Sequence, residues 1–377
     1  MTGEIYPHAF SKDDAHSYGT GRLSINLKNL AENYRIMKKQ AQKSEVAAVV
    51  KANAYGLGIE EVVKTFHQQG CTSFFVATFD EALTIRQLVP EAQVYALNGV
   101  WTGVPSEYVH HQITPVLNSL HDLEIWQLEC RRAGKLLPAI IHTDTGMNRL
   151  GLSVEDVGWL AEHRDEALDG IDVRYLMSHF SSADELTSPE NQFQYECFQE
   201  IRSLFPDIPA TLANSSGVFR SPDYHFDLVR TGIGLYGSNP TPETDNPMKP
   251  VVSLEVPILQ VHHVKEGESI GYNSTYYVAE DEVIATVCLG YADGMLRSLS
   301  NQGCLYWNGI PCPIRGRVSM DLMTVSLSRI EGKLPQAGDM LEVLGVHQDI
   351  DALAASADTI SYEMLTSLGK RYRRTYL

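Results

Sequence analysis

The sequence has no apolar run long enough to cross a bilayer, no cysteines at metal-binding or redox spacing, and too few basic residues to balance its acids. Each absence narrows the function. The amino terminus, Met1-Thr2-Gly3-Glu4-Ile5-Tyr6-Pro7-His8, has neither a basic start nor an apolar stretch, so no export signal or membrane anchor is expected. The six cysteines (Cys71, Cys130, Cys197, Cys288, Cys304, Cys312) follow no C-x-x-C pattern, which is the usage of reduced thiols in a cytoplasmic protein rather than of a disulfide frame or a metal site. Cys304 and Cys312 are the pair to consider for a bridge, and that compartment disfavours it. With 30 basic against 47 acidic residues and a formal net charge of −17, the chain lacks the footprint of a nucleic-acid or anionic-membrane binder. Small-molecule chemistry is what remains.

What is present is an ordinary globular composition, 44% hydrophobic over 377 residues, enough for a sizeable core and two domains. After a polar leader over 1–20, residues 22–27 alternate with period two and predict a half-buried strand. Leu30, Tyr34, Met37 and Ala41 recur at helical spacing through 29–43. Short apolar runs then alternate with helical stretches: 46–50, 73–78, 93–97, 113–117, 137–142, 173–179, 209–213 and 226–230. Eight such units outline an α/β fold of the (β/α)8 TIM-barrel type. A doubly wound open sheet gives a similar outline, but polar residues at the ends of several different strands favour the barrel. The proline-rich run 238–247 reads as a connection, and beyond it β-rich segments at 251–261, 283–287, 313–318 and 340–345 are split by glycine turns. The expected organisation is a barrel over 21–240 and a smaller, mainly-β domain over 241–377 with a helix or two near its end. The strand near 22–27 is a candidate to pack with that second domain.

The chemistry starts at Val49-Val50-Lys51-Ala52-Asn53-Ala54-Tyr55-Gly56-Leu57-Gly58. Lys51 closes an apolar strand and precedes a tight, glycine-rich turn. A lysine at the edge of an apolar interior loses hydration, which favours the neutral amine, and a neutral amine can form a Schiff base with an aldehyde. A lysine snorkelling from a core strand is the plainer alternative. Arg149, in Asp144-Thr145-Gly146-Met147-Asn148-Arg149-Leu150-Gly151, is set on a turn between glycines and can grip a carboxylate bidentately, although a surface arginine is equally ordinary there. His179 ends the sixth barrel strand, at the same rim as Lys51; core histidines on apolar strands are common, and it is the shared rim that singles this one out. Asn214-Ser215 and Arg230-Thr231-Gly232-Ile233-Gly234 form a glycine- and hydroxyl-rich surface after the last two strands, where barrels bind phosphate.

These strings resemble, in order and nearly letter for letter at Lys51, the motifs of the alanine racemases. The resemblance spans roughly 22–374. It implies pyridoxal phosphate carried on Lys51, with Tyr55, Ser215, Gly232, Ile233 and Tyr362 at its phosphate, Arg230 at its pyridine nitrogen and His179 beside it. It implies Arg149 and the backbone of Met320 (in Arg317-Val318-Ser319-Met320-Asp321) at the substrate carboxylate, and Tyr291, Asp184, Arg297 and Arg317 near the active-site entrance. Two catalytic bases are implied on opposite faces of the substrate, Lys51 for the D face and Tyr272 for the L face, the tyrosine reaching into the partner subunit's barrel of a homodimer. A phenol ordinarily ionises near about 10, so His179 and Arg149 would have to ease its ionisation. Arg230 stays cationic and disfavours protonation of the ring nitrogen, which limits transamination. Two positions depart from the family: His142 stands where many members carry a carbamylated lysine that braces the arginine, and Ser319 replaces a frequent cysteine. The expected activity is interconversion of L- and D-alanine. Alternatives are a serine or broad-spectrum racemase, to which bulky Tyr362 is unfavourable, a barrel decarboxylase, and a non-enzymatic barrel that binds the same cofactor, for which the long second half has no use. Biosynthetic and catabolic roles are both compatible with these motifs.

Overall fold

The computed structural model describes residues 21–101 and 104–377; the leader expected over 1–20 lies outside the described residues. The described chain packs as two units, Leu27–Val251 and Val252–Leu377, the latter joined by residues 21–26. The division therefore falls after Val251, beyond the proline-rich run, and β1 (Arg22–Ile25) belongs with the second unit.

In Leu27–Val251 a closed barrel is formed by β2 (Glu45–Val49), β3 (Ser73–Val76), β4 (Gln93–Ala96), β5 (Thr114–Leu117), β6 (Leu137–His142), β7 (Ile171–Met177), β8 (Ala210–Thr211) and β9 (Leu228–Thr231). All neighbours are parallel, and β9 closes on β2 with Val229 opposite Val46 and Arg230 opposite Ala47. The apolar runs are continuous rather than alternating because a parallel strand inside a ring of helices is buried on both faces, as all four residues of β3 and of β5 are. The helix Leu27–Ala41 lays Leu30, Tyr34, Met37 and Ala41 inward as its periodicity predicts, and Tyr34 donates its phenol to the Val46 carbonyl of β2 at 2.9 Å.

The second unit is built on an eight-stranded sheet in which β1 lies between β10 (Val252–Val264) and the last strand, β18 (Arg373–Tyr376), antiparallel to the former and parallel to the latter. Its other members are β13 (Glu282–Val287), β14 (Cys304–Trp307), β15 (Ile310–Arg315), β16 (Met323–Ser326) and β17 (Met340–Leu344). A two-residue hairpin, β11 (Ser269–Ile270) with β12 (Tyr276–Tyr277), stands apart from it, and two short helices, Ile350–Ser356 and Ser361–Ser367, precede β18. Cys304 and Cys312 sit on adjacent strands, β14 and β15, yet both are free thiols, as are the other four cysteines. No helix among the described residues is long and apolar enough to cross a membrane.

Candidate active site

Parallel strands all end at one rim, and the barrel uses this to gather side chains from six loops. Lys51 follows β2, Glu81 follows β3, His142 ends β6, His179 follows β7, Ser215 follows β8, and Arg230 to Ile233 end or follow β9. Among the sequence-predicted residues, Lys51, Tyr55, Arg149, His179, Ser215, Arg230, Gly232 and Ile233 thus share the carboxyl ends of the strands.

The turn after Lys51 is unusual. Four consecutive non-glycine residues, Ala52, Asn53, Ala54 and Tyr55, have φ of 54°, 55°, 53° and 54°, a left-handed turn closed by Gly56 at φ 80°. Each such residue costs about 1–2 kcal/mol relative to a right-handed conformation, so neighbours must hold the turn in place. The Glu81 carboxylate accepts from the Ala52 N–H at 2.6 Å, and Asn53 Oδ1 accepts from the Ile59 N–H at 2.9 Å. Lys51 itself is half-buried, and its ammonium is disfavoured by burial first and by the nearby Arg149 charge second, with Glu81 opposing both.

Arg230 is buried and has no carboxylate partner among the described residues. Its Nη1 donates to Thr211 Oγ1 at 2.7 Å, and its Nη2 to the Ser178 carbonyl at 2.6 Å, the Leu212 carbonyl at 3.3 Å and His179 Nδ1 at 3.3 Å. Burial pulls its pKa down to about 9, so the guanidinium is still charged at neutral pH. A guanidinium has no acceptor, so His179 Nδ1 must accept and Nε2 keeps the hydrogen. Burial, then Arg230, Arg149, His142 and Lys51, hold this histidine well below its ordinary pKa, as a neutral donor.

His142 takes the opposite tautomer. The Asn118 amide nitrogen is committed to the Leu97 and Val116 carbonyls at 2.9 and 3.1 Å, so its Oδ1 faces His142 Nδ1, at 2.7 Å, as acceptor. Burial and Arg230 lower His142 to about 4 and keep it neutral. The Arg149 side chain is exposed, with no hydrogen bond or ion pair among the described residues. What is braced is its loop: the Asp144 carboxylate accepts from the Gly146, Met147 and Asn148 amides at 3.0, 2.9 and 2.9 Å. Asp144 and Asn118 were not among the expected site residues; three successive amides folding back on Asp144 are the kind of local turn that its place in Asp144-Thr145-Gly146 allows.

After β8 and β9, Ser215 Oγ accepts from the Gly232 and Gly234 amides at 2.8 and 3.3 Å. The Tyr55 ring stacks on Tyr236, centroids 4.4 Å apart, and Tyr236 donates to the Val49 carbonyl at the end of β2. A Cβ on Gly232 would fall inside van der Waals contact of the Tyr55 phenol oxygen, so glycine is what leaves room here. Asp184 lies exposed on the loop after β7, whose Ala183 and Asp184 carbonyls are clamped by Arg220 at 2.8 and 2.7 Å.

The second unit gathers five of the six remaining residues into two groups, with Tyr362 apart from both. Tyr272, 69% exposed, tips the β11–β12 hairpin beside Asn273 and Ser274, both at positive φ. That hairpin packs on Gly316-Arg317, where a Cβ on Gly316 would meet the Ile270 carbonyl at 2.5 Å. Asn301, near Arg297, joins the same spot by accepting from the Gly316 amide at 2.6 Å. In the other group, the Tyr291 and Ala292 amides donate to the Ser319 and Met320 carbonyls at 3.0 and 2.9 Å, bringing Tyr291 beside Met320. Ser319 Oγ closes its own turn by donating to the Leu322 carbonyl at 2.6 Å. Tyr362 lies in the helix Ser361–Ser367 and is partly exposed.

Comparison with known proteins agrees with this architecture. Residues 25–240 match the family described as alanine racemase, N-terminal domain, and residues 251–376 match alanine racemase, C-terminal domain. A catabolic alanine racemase of Agrobacterium fabrum is 42% identical, covering 97% of this chain and 95% of its own, and a biosynthetic one from the same organism is 39% identical, covering 97% and 96%. Among solved structures, alanine racemase from Bartonella henselae, with covalently bound pyridoxal phosphate, superposes with a TM-score of 0.92 at 36% identity, covering 95% of this chain and 99% of its own. The biosynthetic alanine racemase of Pseudomonas aeruginosa gives a TM-score of 0.87 at 32% identity, with 95% and 99% covered. The chain belongs to the alanine racemase family.

Proposed function

We propose that this protein interconverts L- and D-alanine with pyridoxal phosphate held on Lys51, using Lys51 and Tyr272 of the partner subunit as the two bases. The observation that carries the reading is the set of three basic groups at one barrel rim, Lys51, Arg149 and Arg230, of which the buried Arg230 has no carboxylate partner among the described residues. Such a rim favours an anion that also presents an aldehyde to the amine and an acceptor nitrogen to the guanidinium. Tyr55, Ser215, Gly232 and Ile233 would hold the phosphate, with Tyr362 a further contact. When bound, pyridoxal phosphate acidifies the Cα proton of an amino acid by delocalising the charge that proton loss leaves.

Everything else falls to the chain's own residues. Burial and the Arg149 charge lower the proton affinity of Lys51 and so favour its neutral amine, the form able both to bond to the aldehyde and to accept a proton. Arg149 offers a fork for the substrate carboxylate, and no hydrogen bond or ion pair among the described residues occupies either arm. Neutral His179 presents Nε2–H as a fixed donor, the role required to polarise the phenol of Tyr272. Arg230 donates and stays charged, so it opposes protonation of the ring nitrogen and restricts side reactions. Met320 contributes its backbone to the carboxylate, while Tyr291, Asp184, Arg297 and Arg317 line the approach.

Incubation of the cofactor-loaded protein with L-alanine, and separately L-serine, in deuterium oxide tests the reading. Deuterated D-alanine should appear much faster than D-serine. Exchange without inversion would remove Tyr272 from its role, and no exchange with either amino acid would point to a binding protein or a decarboxylase.

The phosphate cradle gives a second expectation. Gly232→Ala places its methyl against the stacked Tyr55 ring, whose Cζ lies 3.3 Å away and which is buried and cannot swing aside. Overpacking of this kind costs about 1–3 kcal/mol, so the affinity for pyridoxal phosphate should fall by about 5- to 150-fold. Equilibrium titration of the apoprotein reads this directly; an unchanged affinity would place the phosphate elsewhere.

A further inference from the structure

Glu81 has an arrangement that helix capping alone does not explain. It is the third residue of the helix Phe79–Leu88, and with Thr78 it forms a capping box. In such a box the carboxylate turns back to the N-cap amide, yet here the Thr78 amide is its most distant partner, at 3.4 Å. The carboxylate is drawn away, toward the Ala77 amide at 2.9 Å and above all the Ala52 amide at 2.6 Å. Ala52 is the residue after Lys51 and the first of the four in the left-handed turn. One carboxylate therefore ties the ends of two adjacent barrel strands, β2 and β3, at the root of the Lys51 side chain.

We propose that Glu81 is a positioning residue for the reaction, which anchors the left-handed turn under Lys51 and supplies the negative charge that balances the ammonium form of that lysine; the proposal rests on the reading that Lys51 carries the cofactor. The charged and titratable groups around Lys51 come from three elements: Arg149 on the loop after β6, Glu81 on the helix after β3, and His179, neutral, after β7. Arg149 and burial both oppose the ammonium, and Glu81 is the counterweight among them. Without it the amine would lose its proton at lower pH and could not hold the one it receives during turnover.

The sign follows. Glu81→Gln removes the counter-charge, so Lys51 should deprotonate at lower pH, and the apoprotein should capture pyridoxal phosphate with a midpoint shifted down by about one unit, a tenfold change in the amine-to-ammonium ratio at fixed pH. The capture rate is followed by absorbance as a function of pH, with no turnover needed, and borohydride reduction with peptide mapping locates the modified lysine. Thr78→Ala is the control: it removes the other arm of the capping box and should lower the melting temperature while leaving the midpoint in place. Glu81→Asp retracts the charge by one methylene, and should shift the midpoint in the same direction by less, which keeps the test alive should Glu81→Gln not fold. An unmoved midpoint in the Glu81 variants, or an equal shift in Thr78→Ala, overturns the proposal. Trapping at a lysine other than Lys51 instead overturns the reading on which it rests.

Discussion

Lys51→Ala should lower the rate of racemisation of either alanine enantiomer by about 10⁴-fold or more, because it removes two functions at once: the covalent hold on the cofactor and a general base, the latter alone worth about 10² to 10⁴. The local structure makes the amine, not the charge, the essential property. Lys51 stands at the end of a strand whose Val46 to Val49 are buried, and burial together with Arg149 already presses it toward the neutral form. Lys51→Arg therefore serves as the companion variant. It preserves a cation of similar reach, but a guanidinium neither deprotonates near neutral pH nor condenses with an aldehyde in the same way. Both variants should lose borohydride-trappable cofactor and racemase activity together. If Lys51→Arg kept even a tenth of the activity, electrostatic attraction of the phosphate would be the real role of this residue. Activity retained in Lys51→Ala would remove it from the chemistry altogether.

The barrel was legible because most of its strands are buried on both faces: eight apolar runs separated by helical stretches leave little else to build, and the structure places a strand on each of them. The candidate site was legible for a related reason. A closed parallel barrel sends every carboxyl end to the same rim, so polar residues that close separate apolar runs, such as Lys51, His179 and Arg230, converge without any knowledge of pairing. What could not be read depends on side-chain partners far apart in the chain. Nothing in the string around Asn118 announces that its amide will be consumed by Leu97 and Val116, leaving its oxygen to fix the His142 tautomer. Thr78 and Glu81 stand at capping-box spacing, which the sequence reading did not single out, and the shift of Glu81 toward Ala52 requires β2 and β3 to lie side by side. The turn after Lys51 is only partly legible: Gly56 and Gly58 do take positive φ, but the four non-glycine residues before Gly56 take it as well. Conformations of that cost persist only where surrounding contacts over-determine them. The packing limit of the first unit also escaped the composition signal, since residues up to Val251 stay with the barrel: Asn33 holds the Lys249 carbonyl at 2.9 Å and accepts from its amide at 2.7 Å.

Tyr272→Phe should reduce racemisation by about 10² to 10⁴-fold, the range for loss of a general acid–base group, while leaving cofactor content and absorbance unchanged. The two halves of that expectation separate catalysis from binding. Tyr272 tips a hairpin in the second unit, and every residue proposed to hold the phosphate except Tyr362 lies in the barrel, so deleting one phenol oxygen has no direct path to the cofactor. Its phenol makes no hydrogen bond among the described residues, so the substitution leaves no buried partner unsatisfied and should not lower the melting temperature. Direction of turnover adds a stricter criterion. If Tyr272 serves only the L face, Tyr272→Phe should still exchange the Cα hydrogen of D-alanine with deuterium through Lys51, and should fail to exchange that of L-alanine. The subunit that supplies the phenol can be identified by mixing. Lys51→Ala and Tyr272→Phe proteins, each inactive, would form mixed dimers in which one of the two sites combines an intact Lys51 with an intact Tyr272 of the partner subunit. Recovered activity, at most about a quarter of wild type for random pairing of equal amounts, would establish that the bases come from different subunits. No recovery, with exchange of subunits verified by mass, would mean that each chain completes its own site.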